Sequence, residues 1–201
     1  MSFRDFTFPA VIEKLGLSFQ TEDVFRDVPS VSPRAAFVDT IHEGAELSQG
    51  LNNEKARSEF VIAPVLMELR RMFPRKFGLF SGTELNVDAA NGLSGVCDFM
   101  ISRVPMEYIL KAPIVTIAEA KNDNVWNGYG QCIAAMHAAV LFNAKAGAPT
   151  PVVYGISTTG TQWKFLRLAE SVVALDRADY FITQPERLLG VLSRMIEIVL
   201  A

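Results

Sequence analysis

Apolar residues recur along this chain with two spacings, one suited to helices and one to strands. Over residues 53–73, "NEKARSEFVIAPVLMELRRMF" places them every three or four positions, which predicts an amphipathic helix. Asn53 stands at its cap position, and Pro64 interrupts it. Proline removes one backbone hydrogen bond and crowds the carbonyl four residues back, so a kink is expected there. Three β-like runs follow at 77–87, 94–103 and 114–121. "WNGYGQCIAAMHAAVLFNAKAG" then reads as a buried helix ending near Gly147. "PVVYGIS" and "WKFLRLA" flank "TTGTQ", a hairpin signal with Gly160 in the turn, and "VVALD" adds one more strand. "TQPERLLGVLSRMIEIVLA" closes the chain as an amphipathic helix capped by Thr183.

The first fifty residues read as an N-terminal helical extension. "FPAVIEKLGL" carries a proline early in an apolar-periodic turn, and "SPRAAFVDTIHEGAEL" has Ser32 as N-cap with Pro33 at the first helical position. "SQGLNN" breaks that pattern. Helix, three strands, helix, hairpin, helix is an α/β order, and it predicts a mixed central β-sheet flanked by helices. No repeat, low-complexity tract or Gly/Ser-rich linker divides the chain. Residues 1–201 are therefore expected to form one domain, with 1–50 as the extension and 52–201 as the core.

Composition narrows the class. Half of the 201 residues are hydrophobic and a fifth are charged, which suits a globular chain with a sizeable core. The longest apolar stretches, such as "CIAAMHAAVLF", fall short of the roughly 18 to 20 residues of a membrane span. "MSFRDFTFPAV" lacks the apolar region of a signal peptide, so a cytoplasmic location is expected. Cys97 and Cys132 lie in apolar segments without CxxC spacing, as buried thiols in a reducing compartment would. A net charge of −3 does not mark a nucleic-acid binder. Nor does it exclude one, because a local basic patch or a metal ion can hold a phosphate. The chain has neither a GxxxxGK phosphate loop nor a GxSxG nucleophile elbow.

Candidate chemistry concentrates where "IVTIAEAKNDN" turns polar. Side chains alternate along a strand, so Glu119 and Lys121 share a face with Ile117 and Val115. Alone, this E-x-K reads more readily as a solvated salt bridge at a sheet edge. Asp98 changes the balance, because it lies in the middle of "GVCDFMIS". A mid-strand aspartate is disfavoured, and burying its charge is costly unless it is paired or binds a metal. If the two strands are neighbours, Asp98 and Glu119 project toward one point. Their mutual repulsion would be relieved by a divalent cation, and hard oxygen ligands suit Mg²⁺ or Mn²⁺.

A helix bearing glutamate, strands carrying "GVCD" and "IAEAK", and a helix carrying Gln131 together resemble the PD-(D/E)xK nuclease superfamily. The resemblance covers residues 52–145, and the "VYGISTTGTQWKFL" hairpin fits a sheet extension common in that fold. It implies a restriction-endonuclease-like core that hydrolyses phosphodiesters with Mg²⁺ or Mn²⁺, with DNA preferred over RNA as the partner. Asp98 and Glu119 would be its metal-binding acids, Lys121 its lysine, and the Ala120 backbone carbonyl a further ligand. The first acid departs from the pattern in lying in "VCD", without a proline.

The resemblance also places a glutamate on the helix before the sheet, either Glu54 or Glu59. At about 100° per residue, Glu59 falls on the stripe of Ile62, Leu66, Leu69 and Phe73, with Glu54 about 140° away. Glu59 is therefore the expected site residue, meeting the metal through water. Its alternative is a stripe-edge ion pair with Arg57 or Lys55. Gln131 either approaches the site and nucleic acid or caps buried backbone. Ala135 follows it by four where one exonuclease-type branch has tyrosine. Asn122 and Asn124 either contact substrate or form the turn.

Weaker features have bland readings. Glu84 suits an exposed strand face, His137 a hydrogen-bonded core histidine and His42 the surface. Arg70, Arg71, Arg75 and Lys76 suit a solvated helix C-terminus. Trp126, Tyr129 and Trp163 are either core or stacking residues. Double-strand cutting by paired sites would suit a homodimer, for which the apolar "GVLSRMIEIVLA" tail offers an interface. The alternative function is a catalytically silent nuclease-fold protein, acting as a binding or regulatory module with a protein partner. The acidic net charge and the apolar tail motivate it.

Overall fold

The computed structural model describes residues 1–105 and 108–201. Eight strands form one mixed sheet: β1 (Ser18–Glu22), β2 (Gly78–Asp88), β3 (Leu93–Ser102), β4 (Ile114–Ala120), β5 (Val152–Thr158), β6 (Gln162–Ala169), β7 (Val172–Asp176) and β8 (Tyr180–Phe181). Their order is β1-β7-β6-β5-β4-β3-β2, with β8 beside β6. The pairs β1–β7 and β4–β5 are parallel, and the others antiparallel. Helices α1 (Ala10–Lys14), α2 (Ala35–Leu51), α3 (Glu54–Arg57), α4 (Ala63–Met72), α5 (Trp126–Lys145) and α6 (Pro185–Leu200) complete a mixed α/β fold. Among the described residues, no helix is long and apolar enough to cross a membrane.

The sheet is covered on both faces, which is why β4 reads as a continuous apolar run: all seven of its residues are buried. On one face, Ile62, Leu66 and Leu69 of the α3–α4 segment and Leu188, Leu192 and Ile196 of α6 pack with Phe99, Val115, Ile156 and Phe165. On the other, Cys132, Ile133 and Met136 of α5 pack with Cys97, Met100, Ile114 and Ile117. Each fully buried Leu, Ile or Phe contributes about 1.5–3 kcal/mol relative to exposure.

The first fifty residues are not purely helical. β1 joins the sheet at its edge, parallel to β7, and four of its five residues are exposed. So short and polar a segment has no apolar alternation to betray it. α2 begins at Ala35 after Arg34, with no side-chain cap, rather than at the Ser32–Pro33 signal. It continues to Leu51 and ends at Asn52, which turns left-handed at φ 45°. α6 likewise starts after Gln184 rather than from a Thr183 cap. Its apolar stripe, including Leu188, Leu192, Met195, Ile196 and Val199, is buried in the chain's own core. Of the tail's apolar side chains, Ile198 stays exposed.

Between α3 and α4 the helix widens into a π-turn at Ser58–Ile62, where the Ala63 N–H reaches back five residues to the Ser58 carbonyl. Pro64 explains the site of this defect, because it has no N–H for the Phe60 carbonyl four residues earlier. That carbonyl points at Gly44 of α2, where a Cβ would sit 1.9 Å from its oxygen. Asn53 caps α3 as expected, accepting the Ala56 N–H at 2.8 Å.

Candidate functional site

The antiparallel register Phe99↔Ala118 and Met100↔Ile117, continued by one residue, sets Asp98 directly across from Glu119. Asp98 is free to turn because the β2–β3 ladder pairs Ser81 with Phe99 and Thr83 with Cys97 but skips Gly82 and Asp98. Gly82 has φ +60°. Face alternation also slips there, since Cys97 and Met100, three residues apart, both pack under α5. The Asp98 Oδ2 accepts the backbone N–H of Ala120 at 2.8 Å, which satisfies half of a carboxylate that would otherwise be costly in a strand.

Glu119 is completely buried. Its Oε2 accepts from Gln131 Nε2 at 2.5 Å. Among the described residues no N–H or hydroxyl donor reaches its Oε1, leaving only a bond to the Asp98 carboxyl that forms when one of the two acids is protonated. Burial, first, and then the charge of Asp98 push the Glu119 carboxyl well above its ordinary pKa; a hydrogen bond with Asp98 and the charge of Glu54 add to this, and Lys121 opposes it. Lys121 lies half-buried at the strand end and donates from Nζ to Gln131 Oε1 at 3.0 Å. One amide therefore joins the acid and the ammonium. The Lys121 stem runs against Gly128 of α5, where a Cβ would meet its Cγ at 3.1 Å. Ser157, paired with Glu119 across β4–β5, donates to the Val125 carbonyl at 2.7 Å and fixes the start of α5.

Asp98, Glu119, Lys121 and Gln131 are thus brought together, with the Ala120 backbone between the acid and the lysine. The Ala120 side chain faces the opposite cluster. Val115 does not share the face of Glu119 and Ile117 as alternation predicted. A register shift between Ile101 and Ser102 lets Ile114 and Ile117 pack under α5 while Val115 turns to the α6 side. Glu59 is not part of the group. It is exposed and paired with Lys55 at 2.5 Å. Its alternative reading holds because the π-turn adds about one residue to the helical count and rotates it off the buried stripe. Glu54, half-buried, is the helix glutamate whose charge reaches Glu119.

The remaining candidates find ordinary places. Asn124 accepts the Trp126 N–H at 2.8 Å and forms the turn into α5. Asn122 accepts from Arg57 Nε at 3.2 Å. Glu84 is exposed and accepts from Asn86. His42 is exposed, and His137 is half-buried on α5, where burial lowers its pKa. Trp163 is core, donating to the Gly160 carbonyl, and Tyr129 is buried, whereas Trp126 is half exposed. Cys97 and Cys132 are free buried thiols. In sequence Arg57 stands out only as a partner for Glu59. Its signal, a cation one turn after Glu54, has no meaning until the loops beside it are placed.

Among the described residues, no group of three or more His, Cys, Asp or Glu side chains lies close enough together to hold a metal ion. The acids brought face to face are two. No family model matches the chain, and neither a curated protein nor a solved structure does.

Proposed function

We propose that this protein is a divalent-metal-dependent nuclease with a restriction-endonuclease-like core, hydrolysing phosphodiesters of DNA in preference to RNA. One observation carries the reading: Asp98, which accepts the Ala120 N–H, lies beside Glu119 where β3 and β4 meet, with Lys121 linked to Glu119 through Gln131. The succession of α3–α4, β2, β3, β4, α5 and β5 also keeps the order of parts on which the resemblance rested.

The residues fit a hard divalent cation. Among the described residues no N–H or hydroxyl donor reaches the buried Glu119 Oε1, which lies beside a second carboxyl, a state that calls for a proton shared between the two acids or a cation. Mg²⁺ is commonly held by one or two carboxylates while keeping several waters, so the two acids and the Ala120 carbonyl suffice as protein ligands. Glu54 would act on such an ion from farther out. When bound, the cation supplies Lewis-acid polarisation of the phosphate and charge neutralisation. Lys121 keeps the other two donors of its ammonium for a phosphoryl oxygen, where negative charge grows in the transition state. Gln131 holds that ammonium and the Glu119 carboxylate at a fixed separation. Burial of Glu119 keeps water from screening these interactions.

The test is incubation of the protein with plasmid and linear DNA in Mg²⁺ or Mn²⁺. Cleavage is expected to require Asp98, Glu119 and Lys121. Activity that survives both Asp98→Ala and Glu119→Ala removes this mechanism. The scarcity of clustered acids favours a second reading, a nuclease-fold binding module without activity. Calorimetric titration with Mn²⁺ separates the two, since the module requires no metal binding.

A further inference from the structure

Several cations in this fold are matched by acids. Arg34 and Arg71 meet Glu68, Arg167 meets Glu22, Arg177 and Arg26 meet Asp23, Arg194 meets Glu197, and Lys164 meets Asp179. Arg57 is different. The residue is half-buried, and its guanidinium bonds go to Asn122 Oδ1 at 3.2 Å, the Thr159 carbonyl at 3.3 Å and Asn52 Oδ1 at 3.3 Å. All three acceptors are neutral, and all lie at or beyond the long end of ordinary N–H···O distances. Among the described residues, no carboxylate lies within ion-pair distance of it. Glu54 precedes it by three positions, a spacing at which helical ion pairs form readily, yet the two are not paired.

The place of this charge matters as much as its lack of a counter-ion. Asn122 follows Lys121 directly, Thr159 follows the last residue of β5, and Glu54 is the helix acid whose charge reaches Glu119. Arg57 therefore stands where the π-turn and two strand-end loops meet, beside the Lys121 end of the site. A guanidinium has five N–H donors in a planar fork. The bonds above use one on Nε, one on Nη1 and one on Nη2, which leaves one N–H on each terminal nitrogen. Paired terminal N–H groups bind phosphate oxygens in a bidentate way, and removing such a charge from water is favourable only when an anion meets it.

We propose that Arg57 forms a phosphate subsite that holds a backbone phosphate next to the one at Asp98 and Glu119. This rests on the nuclease reading for the identity of the ligand as a nucleic-acid strand. Asn122 and Asn52 orient the fork, and the subsite sets the register of the strand across the site.

The experiment is fluorescence anisotropy with a short fluorescein-labelled DNA duplex in EDTA, over a series of KCl concentrations. Wild type, Arg57→Gln and Arg57→Lys are compared, and Mn²⁺-dependent cleavage by wild type is run beside them. Arg57→Gln is expected to weaken binding about tenfold and to lower the salt slope by about one. Arg57→Lys should restore the slope but not the whole affinity, since a point charge replaces the fork. If Arg57 merely clamps the loops, Arg57→Lys fails as Arg57→Gln does, and that result overturns the subsite. An unchanged slope in Arg57→Gln, or a wild type that binds no DNA, also overturns it. Cleavage with an unchanged slope removes the subsite alone. Absent cleavage with a slope that falls in Arg57→Gln and returns in Arg57→Lys removes the nuclease reading and leaves the subsite.

Discussion

Gln131 is the side chain on which the geometry of the site turns. Its amide donor faces Glu119 and its amide oxygen faces Lys121, so each end meets the charge it suits. Leucine there would leave Glu119 buried without the donor that meets its Oε2. With its pKa raised by burial, Glu119 can hold a proton when that donor is lost, and an unsatisfied buried polar group costs about 1–3 kcal/mol, a loss the fold can absorb, whereas Lys121 would lose its anchor. Gln131→Leu is therefore expected to lower metal-dependent cleavage by about 10–100-fold, the range set by a few kcal/mol of lost orientation. Urea unfolding should show only the modest stability loss, and comparing kcat with that loss checks the assignment. Glu119 and Lys121 could be singled out in sequence because strand alternation relates them, and Asp98 because it is an acid in the middle of an apolar strand. Gln131 could not be decided between site and backbone cap. Its reach depends on the phase of α5 against β4, which the local Asn124–Trp126 bond and the long-range Ser157–Val125 bond set together.

At the scale of elements, a helical wheel fails where the helix is not uniform. Counting about 100° per residue put Glu59 on the buried stripe, but the π-turn at Ser58–Ile62 breaks the count. Pro64 was legible as a disturbance. The form it took depends on a neighbour, for the freed Phe60 carbonyl is directed at Gly44 of α2. The register shift that turns Val115 over, and the polar edge strand β1, escaped for the same reason: both are fixed by partners distant in sequence. Two glycines of α2 test the contact. In an open helical position Gly→Ala gains about 0.8–1 kcal/mol, and Gly50 has nothing within 4 Å of an added Cβ. At Gly44 the Cβ would lie 1.9 Å from a backbone oxygen that no rotamer change can move. Overpacking of this kind costs about 1–3 kcal/mol or more, which outweighs the propensity gain. Gly50→Ala should raise the urea midpoint and Gly44→Ala should lower it. Equal effects at the two positions would show that the α2–π-turn contact is not close.

Across the whole molecule, the helices over one sheet face are joined by a charge as well as by apolar packing. Glu68 of α4 is buried to a side-chain exposure of 3%, and it accepts two bonds from Arg34, at the head of α2, at 2.8 and 2.5 Å. Arg71 adds a third at 3.4 Å. The Arg34 hydrogen bond, above all, holds the Glu68 carboxyl below its ordinary 4.5; burial opposes it, and the Arg34 and Arg71 charges reinforce it. A depressed carboxylate contributes stability that is fully present above its unfolded-state pKa and is lost as pH falls through the folded value. Acidification below about 4.5 should therefore weaken the attachment of α2 to α4, and neutral pH should not. Many carboxylates titrate in that window, so the informative quantity is the difference between wild type and Glu68→Gln. Charged hydrogen bonds of this kind contribute about 1.5–3 kcal/mol, reduced here because Arg34 is half exposed. Glu68→Gln should be destabilised at pH 7 and should approach wild type as the pH drops below the window, measured by urea unfolding at each pH. A difference that stays constant from neutral to acid pH would mean that Glu68 titrates as it does in the unfolded chain. The joint between the two helices would then rest on packing alone.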